Sequence, residues 1–194
     1  SGNSGGNRWE NVVNGWMAKG LEVVAYFTIK NGSMCSGGHV GLKHGGPQHK
    51  SCPSSEIVKS GPCGSGPSCR AWWDTGIDNN AGKAYVEIEN PHPHNCKRQY
   101  FAAVGTKLDS GKPIGVRWHI RREGAGIRLI QWIDTSGTAG ANQWKETYNV
   151  LDTGQFMPAD YINKISNQQN IEIRISDVAC GDITMHSANS RQII

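Results

Sequence analysis

The sequence predicts an all-β protein, a two-sheet antiparallel jelly-roll sandwich with one short helix near residues 158–165. Glycine is abundant, at 25 of 194 residues, which is typical of many turns between short strands. Alternating apolar and polar segments recur along the chain, and no amphipathic helices separate them, which excludes a parallel α/β fold. A meander in the middle of the chain has one apolar face, and such a face requires a second layer to cover it.

The meander centres on a hairpin whose strands flank the turn Glu123–Gly126 (EGAG). In the first strand, Val116, Trp118 and Ile120 share one face, because side chains alternate along a strand. We expect this face to meet the isoleucines of residues 171–178 (IEIRISDV) in one interior. The opposite face of the hairpin carries Arg117, His119, Arg121, Arg128, Ile130, Trp132 and Asp134.

The other strands are predicted from β-branched and aromatic residues and from alternation. They cover residues 21–30, 38–44, 71–77, 83–89, 100–105 and 144–150, with residues 171–178 as the final core strand. Residues 8–16 open the domain. In the segment 38–44, Val40 and Leu42 lie opposite His39, Gly41 and Lys43. Proline at the first turn favours a helix over residues 158–165.

The length of 194 residues fits one domain. We expect residues 1–7 to be a flexible leader and residues 8–194 to form a single β-sandwich domain. Residues 45–70 form an insertion rich in cysteine, glycine and proline. A loop of this length without regular structure is uncommon unless it is functional or cross-linked.

Cysteine usage predicts an extracellular, secreted protein. The even number of six cysteines and the absence of a C-x-x-C pair favour disulfides over a zinc or redox site. A Cys63–Cys69 bridge is the favoured pairing, and the others are left open. The cysteines occupy positions 35, 52, 63, 69, 96 and 180.

The charge and hydropathy of the chain limit its partners. The net charge of +4 is mild and its cations are scattered, so nucleic acid is not expected as a partner. The charge suits an acidic polymer, although ordinary surface charge explains it equally well. No apolar run approaches the roughly 20 residues of a membrane-spanning helix, so no membrane span is expected.

Histidines and acidic turns raise the question of a metal. A zinc or copper site formed by His44, His49 and His94 is chemically feasible, but the spacing of known metal motifs is missing. The turn Asp134–Gly137 with Asn142 has oxygen ligands for calcium, yet plain turn chemistry accounts for it better. We therefore expect no cofactor.

One set of residue types suits β-elimination from a uronate polysaccharide. His44 or His94 is the candidate base, since a histidine near pH 7 can accept a proton. Tyr100 is the candidate acid. Arg98 or Lys43 would neutralise the uronate carboxylate and stabilise the enolate-like transition state. The alternative is that these residues are loop histidines and surface cations.

Aromatic residues are the candidates for sugar binding, because the C–H face of a sugar packs on an aromatic ring. Trp72 and Trp73 are adjacent, so they point to opposite faces of a strand. Trp132 is a second platform candidate, and His119 and Arg117 on the polar face of the first hairpin strand are further candidates for substrate binding. The alternative for each tryptophan is a place in the core.

The segment GVRWHIRREGAGIRLIQWID (residues 115–134), followed by a late I-x-I-x-I strand, resembles the back-sheet hairpin of concanavalin-A-like jelly rolls. Among these, the chain resembles small secreted alginate and glucuronan lyases and related carbohydrate-binding domains, although the signature lyase segments are absent. The resemblance implies a secreted protein acting on an acidic polysaccharide, with a β-eliminating lyase favoured. The alternatives are a non-catalytic carbohydrate-binding module and a structural extracellular adhesin or filament subunit. The sugar and the oligomeric state are left open.

Overall fold

A computed structural model describes residues 7–14, 20–30, 38–44, 72–89, 95–157, 159–162, 168–176 and 183–193. This part of the chain contains eleven strands and one short helix. The strands are β1 (Asn7–Asn14), β2 (Leu21–Ile29), β3 (His39–His44), β4 (Trp72–Asp78), β5 (Lys83–Glu89), β6 (Asn95–Ala103), β7 (Ile114–Glu123), β8 (Gly126–Asp134), β9 (Lys145–Asp152), β10 (Gln168–Ser176) and β11 (Ile183–Gln192). The helix is α1 (Ala159–Ile162), within the segment predicted to be helical.

The strands form two antiparallel sheets. The six-stranded sheet has the order β1-β10-β3-β4-β5-β6, and the five-stranded sheet has the order β11-β2-β7-β8-β9. Apolar side chains from both sheets pack into one buried cluster between them. This confirms the predicted two-sheet antiparallel jelly-roll sandwich. We call the face of each sheet that is turned away from this cluster its outer face.

The predicted alternation of the central hairpin and of residues 171–178 is confirmed. Val116, Trp118 and Ile120 in β7 are at most 2% exposed, and so are the isoleucines of β10 at positions 171, 173 and 175. All six belong to the same core cluster. Within it, the indole nitrogen of Trp118 donates a hydrogen bond to Gln131 Oε1 at 2.8 Å, so the polar side chain on the inner face of β8 is satisfied.

Two strands differ from the sequence-based expectation. Strand β6 begins at Asn95 rather than at Tyr100, because the polar segment before Tyr100 gives no apolar alternation although its backbone pairs with β5. Strand β11 was not predicted at all, and the segment 171–178 is therefore not the final strand. Strand β11 lies at the edge of its sheet and is largely exposed, so its sequence (ITMHSANSRQ) needs no apolar face.

Several expectations concern residues that the structure does not describe. Residues 1–6 and 45–71 lie outside the described ranges, as do five of the six cysteines and the side chain of Cys96. The leader, the insertion and the disulfides therefore stay predictions. In the described part of the chain, no helix is long and apolar enough to cross a membrane.

Candidate functional site

Arg98 and Tyr100 meet on the outer face of the six-stranded sheet. Arg98 donates two hydrogen bonds to Glu87, from Nε at 2.6 Å and from Nη2 at 2.9 Å, and a third to Asp78 at 3.1 Å. The hydrogen bonds that Arg98 donates to Glu87 raise the pKa of Arg98. The Tyr100 hydroxyl donates to the same oxygen of Asp78 at 2.9 Å. The guanidinium charge is thus already balanced by carboxylates of the protein itself.

Lys43 lies on the same outer face and is buried. Its Nζ is 3.9 Å from Asp74 Oδ2, and the Tyr85 hydroxyl donates to Asp74 Oδ1 at 3.0 Å. Burial, together with the charge of Asp74, raises the pKa of Tyr85 well above its ordinary value. Gly41 is required here, because a Cβ at this position would lie 2.6 Å from the Asp74 carboxylate. Lys43, Arg98 and Tyr100 therefore belong to one compact, internally compensated polar network.

His44 lies on the other side of this sheet, in the interior. Its ring stacks on Trp73 at a centroid distance of 5.4 Å and an interplanar angle of 13°. Neither ring nitrogen has a hydrogen-bond partner, and burial lowers the pKa of His44 to about 3. Trp73 is also in the core. The side chain of Trp72 and all of His94 lie outside the described part of the structure.

A second polar cluster lies on the outer face of the five-stranded sheet and is centred on Glu22. Arg117 Nε and Arg191 Nε donate to opposite oxygens of the Glu22 carboxylate, at 2.7 Å and 2.6 Å. His119 Nε2 lies 2.6 Å from Glu22 Oε2, and donation to the carboxylate places the ring proton on this nitrogen. The Glu22 side chain is 5% exposed, whereas that of Arg191 is 74% exposed. We call Arg117 and Arg191, held around Glu22, the first arginine pair.

The sheet register explains why these residues meet. Arg191 in β11, Glu22 in β2 and His119 in β7 occupy directly paired positions across three strands. Two residues further along each strand, Asn189, Val24, Arg117 and Trp132 form the adjoining row. Since residues two apart on a strand share a face, both rows point to the same side of the sheet.

The charges of the cluster follow from its contacts. Burial would raise the pKa of Glu22, but the hydrogen bonds from His119, Arg191 and Arg117 outweigh it, so the pKa lies below its usual value. Partial burial lowers the pKa of His119, and this effect, with the charge of Arg117, outweighs the hydrogen bond to Glu22. At neutral pH the cluster therefore holds two guanidinium cations, one carboxylate and a neutral imidazole.

Trp132 borders this cluster. The Arg117 guanidinium carbon lies 5.2 Å from the centroid of the Trp132 ring, and His119 meets the same ring edge-on at 4.7 Å. The structure thus brings together the three hairpin residues proposed from the sequence for substrate binding. Sequence reasoning missed Glu22 and Arg191. Glu22 could have been found, because it is a charged residue within the apolar strand LEVVAYFTI. No sequence signal indicated Arg191, because β11 was not predicted.

A pocket of about 410 Å³ opens beside the Glu22 cluster. Trp144 is its aromatic residue and packs on Tyr26 at a centroid distance of 5.5 Å. Gly115 permits this packing, because a Cβ there would lie 2.5 Å from the Tyr26 ring and 3.0 Å from Trp144. The pocket is lined by Glu22, Val24, Arg117, Asn142, Trp144, Asn189 and Arg191.

The acidic turn after β8 is occupied by donors of the protein. Asp134 accepts hydrogen bonds from the Tyr26 hydroxyl at 2.8 Å and from the backbone nitrogens of Ser136 and Gln143 at 2.9 Å and 3.1 Å. Both carboxylate oxygens are used in this way, as expected for turn chemistry. Among the described residues, no group of three or more histidines, cysteines and acidic residues is placed to hold a metal.

Comparison with solved structures agrees with the architecture. The carbohydrate recognition domain of Emp46p is similar with a TM-score of 0.51 and 7% identity, over 98% of this chain and 80% of that one. Peanut lectin is similar with a TM-score of 0.46 and 13% identity, over 99% and 84% of the two chains. An alginate lyase from Pseudomonas aeruginosa gives a TM-score of 0.44 and 10% identity, over 93% and 68%. No protein-family model and no curated protein matches the sequence. The fold is the concanavalin-A-like jelly roll.

Proposed function

We propose that this protein binds an acidic polysaccharide without cleaving it, at the pocket beside Glu22. The observation that carries the proposal is the composition of the pocket, which combines one tryptophan with two arginines and two asparagines. An aromatic ring packs on the C–H face of a sugar, while amide and guanidinium groups hydrogen-bond its hydroxyls. The pocket volume of about 410 Å³ lies within the range of ordinary ligand sites.

The charge of the pocket supports an acidic ligand. The first arginine pair supplies two positive charges, and Glu22 balances one of them. Arg191 is largely exposed, so its charge faces the solvent from which a ligand arrives. A uronate or sulfated sugar would complement this excess charge, and a guanidinium group can donate two parallel hydrogen bonds to such an oxyanion.

Binding is favoured over β-elimination by the state of the candidate catalytic residues. Arg98 would have to leave Glu87 to neutralise a uronate, and Lys43 is buried beside Asp74. His44 is in the interior, so a substrate proton cannot reach it. Its pKa of about 3 also makes it a weak base. A β-eliminating lyase is therefore the alternative, and His94 is its remaining candidate base.

The fold supports the same class of function, since the Emp46p domain of this fold is a carbohydrate recognition domain. Fold alone does not decide function, so the proposal depends on the pocket. We also propose an extracellular or lumenal location, because six cysteines in a chain of this composition suit an oxidising compartment.

A panel of uronate, sulfated and neutral polysaccharides tests the proposal, with binding measured by calorimetry and cleavage by the absorbance of unsaturated products. We expect binding of acidic glycans and no product. Trp144→Ala and Arg191→Ala should each weaken binding about tenfold, equivalent to about 1.4 kcal/mol. Lys83→Ala, on the other sheet, is the control and should bind normally. Unaltered binding in both pocket variants would refute the site, and product formation would favour the lyase.

A further inference from the structure

A second arginine pair lies on the outer face of the five-stranded sheet, beyond the pocket. Arg128 donates to Glu123 from Nη2 at 2.6 Å and from Nε at 3.1 Å, and Arg121 donates to the same carboxylate at 3.1 Å. This repeats the arrangement around Glu22, in which two arginines hold one glutamate. We call Arg121 and Arg128, held around Glu123, the second arginine pair.

The two pairs share one continuous surface. Arg117 and Arg121 are both in β7 and four residues apart, so they point to the same side with their Cα atoms about 13 Å apart. Arg121 is directly paired with Arg128 in β8. The stem of Arg121 packs on Gly20, where a Cβ would lie 3.1 Å from the arginine Cβ. The second pair is thus fixed in register with the first.

The surface between the pairs is apolar and aromatic. Ile130 is directly paired with His119 and lies between Trp132 and Arg128 along β8. His119 packs edge-on against Trp132. The Trp132 ring and the His119 imidazole, together with Ile130, which is only 9% exposed, therefore separate the two groups of cations. Along the sheet, a charged region is followed by an apolar region and then by a second charged region. This order suits a polymer of sugar rings that carry anionic groups.

Each pair retains a positive charge after its glutamate is counted. The second pair is also accessible, since Arg121 is 53% and Glu123 is 38% exposed. The hydrogen bonds from Arg128 and Arg121 lower the pKa of Glu123 to about 2 although it is exposed, so the carboxylate stays ionised at neutral pH. Glu146 is in the edge strand β9 and pairs with Trp132 of β8, so it is a further carboxylate beside the surface between the two arginine pairs.

We infer that the ligand is a linear polyanionic glycan that extends from the pocket along β7 and β8 to the second arginine pair, which forms a second anion subsite. This inference rests on the proposed function, because the pocket is its first subsite. Two subsites joined by one chain bind more tightly than either alone, because the second contact is intramolecular. Exposed ion pairs contribute little to stability, so the second pair can be replaced without unfolding the protein.

Defined oligogalacturonates test this extension, since a disaccharide fills the pocket alone and an octasaccharide reaches both pairs. In the wild type, we expect the octasaccharide to bind at least about tenfold more tightly than the disaccharide. The double variant Arg121→Gln with Arg128→Gln should bind the disaccharide normally and lose the octasaccharide advantage. The matched control, Lys83→Gln with Lys107→Gln, removes two charges from elsewhere and should keep the advantage. Thermal unfolding verifies that both variants are folded.

Three results would overturn the inference. Equal affinity for the two oligosaccharides in the wild type would leave the pocket as an isolated site. An octasaccharide advantage that survives the loss of Arg121 and Arg128 would place the second contact elsewhere. A loss in the double variant that is equal for both lengths would indicate a general charge effect. In these cases the pocket proposal stands, whereas absence of binding by either length, together with no binding of any acidic polysaccharide in the panel, would remove both proposals.

Discussion

The indole nitrogen of Trp73 donates a hydrogen bond of 2.7 Å to Asp152 Oδ2, and this bond joins the two sheets through the core. Trp73 is in the six-stranded sheet and Asp152 ends β9 of the five-stranded sheet. The same carboxylate accepts hydrogen bonds from three backbone nitrogens of the following turn, those of Gly154, Phe156 and Met157. One buried acidic residue thus orders both a loop and the packing of the sheets.

Asp152→Ala should lower the free energy of unfolding by about 3 kcal/mol or more, because it leaves four donors without an acceptor, three of them buried. Trp73→Phe removes only one donor but replaces the buried indole with a smaller phenyl ring, so it should cost about 2 kcal/mol, less than the loss of the carboxylate. Urea denaturation at neutral pH measures both. A loss below about 1 kcal/mol in Asp152→Ala would mean that the carboxylate does not organise the turn.

His44 should make the protein sensitive to acid. Its pKa is about 3 in the folded protein and 6.5 in its ordinary state, so only the unfolded chain gains this proton between these values. The free energy of unfolding should therefore fall by about 1.4 kcal/mol for each pH unit below 6.5, until the folded protein also protonates. His44→Phe keeps the stacking on Trp73 and has no proton to gain. The free energy of unfolding of this variant, relative to that of the wild type, should therefore increase by about 1.4 kcal/mol for each pH unit below 6.5. Parallel curves for the two proteins would contradict the prediction.

Trp118 and Trp132 should respond in opposite ways to truncation, because they lie on opposite faces of the five-stranded sheet. Trp118→Ala removes a buried ring and should cost about 3–5 kcal/mol of stability. Trp132→Ala should cost about 1 kcal/mol and weaken glycan binding, since it lies beside the first arginine pair. Chemical denaturation and calorimetry on the same preparations separate the two effects. Normal glycan binding by Trp132→Ala would exclude this tryptophan from the site.

Tyr100→Phe distinguishes binding from β-elimination. Tyr100 lies in the six-stranded sheet, away from the proposed pocket, so its loss should leave the affinity for acidic glycans within about twofold of the wild type. We expect no unsaturated product from either protein. Turnover by the wild type that disappears in Tyr100→Phe would identify its hydroxyl as the acid of a lyase and reject our proposal.

The fold was more predictable than the site, and the residues show why. Alternation assigned Trp118 and Ile173 to the core because each lies in a strand with one apolar face. The same alternation put His44 on the side of Val40 and Leu42, which is the interior, yet its chemistry suggested an exposed base. A residue's type indicates what it can do, whereas its register decides whether a substrate can reach it.

The Glu22 cluster could not be assembled from sequence. Arg191 and Glu22 are 169 positions apart, and they meet only because β11 pairs with β2. That strand has no apolar alternation, since it is an edge strand with little buried surface. The hairpin residues Arg117, His119 and Trp132 were found together because they are close along the chain and share one polar face.

Strand β11 supplies Asn189 and Arg191 to the pocket, and it is an edge strand that pairs only with β2 in its sheet. Edge strands unfold locally more readily than central strands, and this local unfolding sets the rate at which their backbone amides exchange hydrogen with solvent. A glycan held by Arg191 would bind only the closed form and would therefore slow hydrogen exchange in β11 and β2. Glycan binding in the pocket would thus be detected as slower hydrogen exchange in β11, the last strand of the described chain.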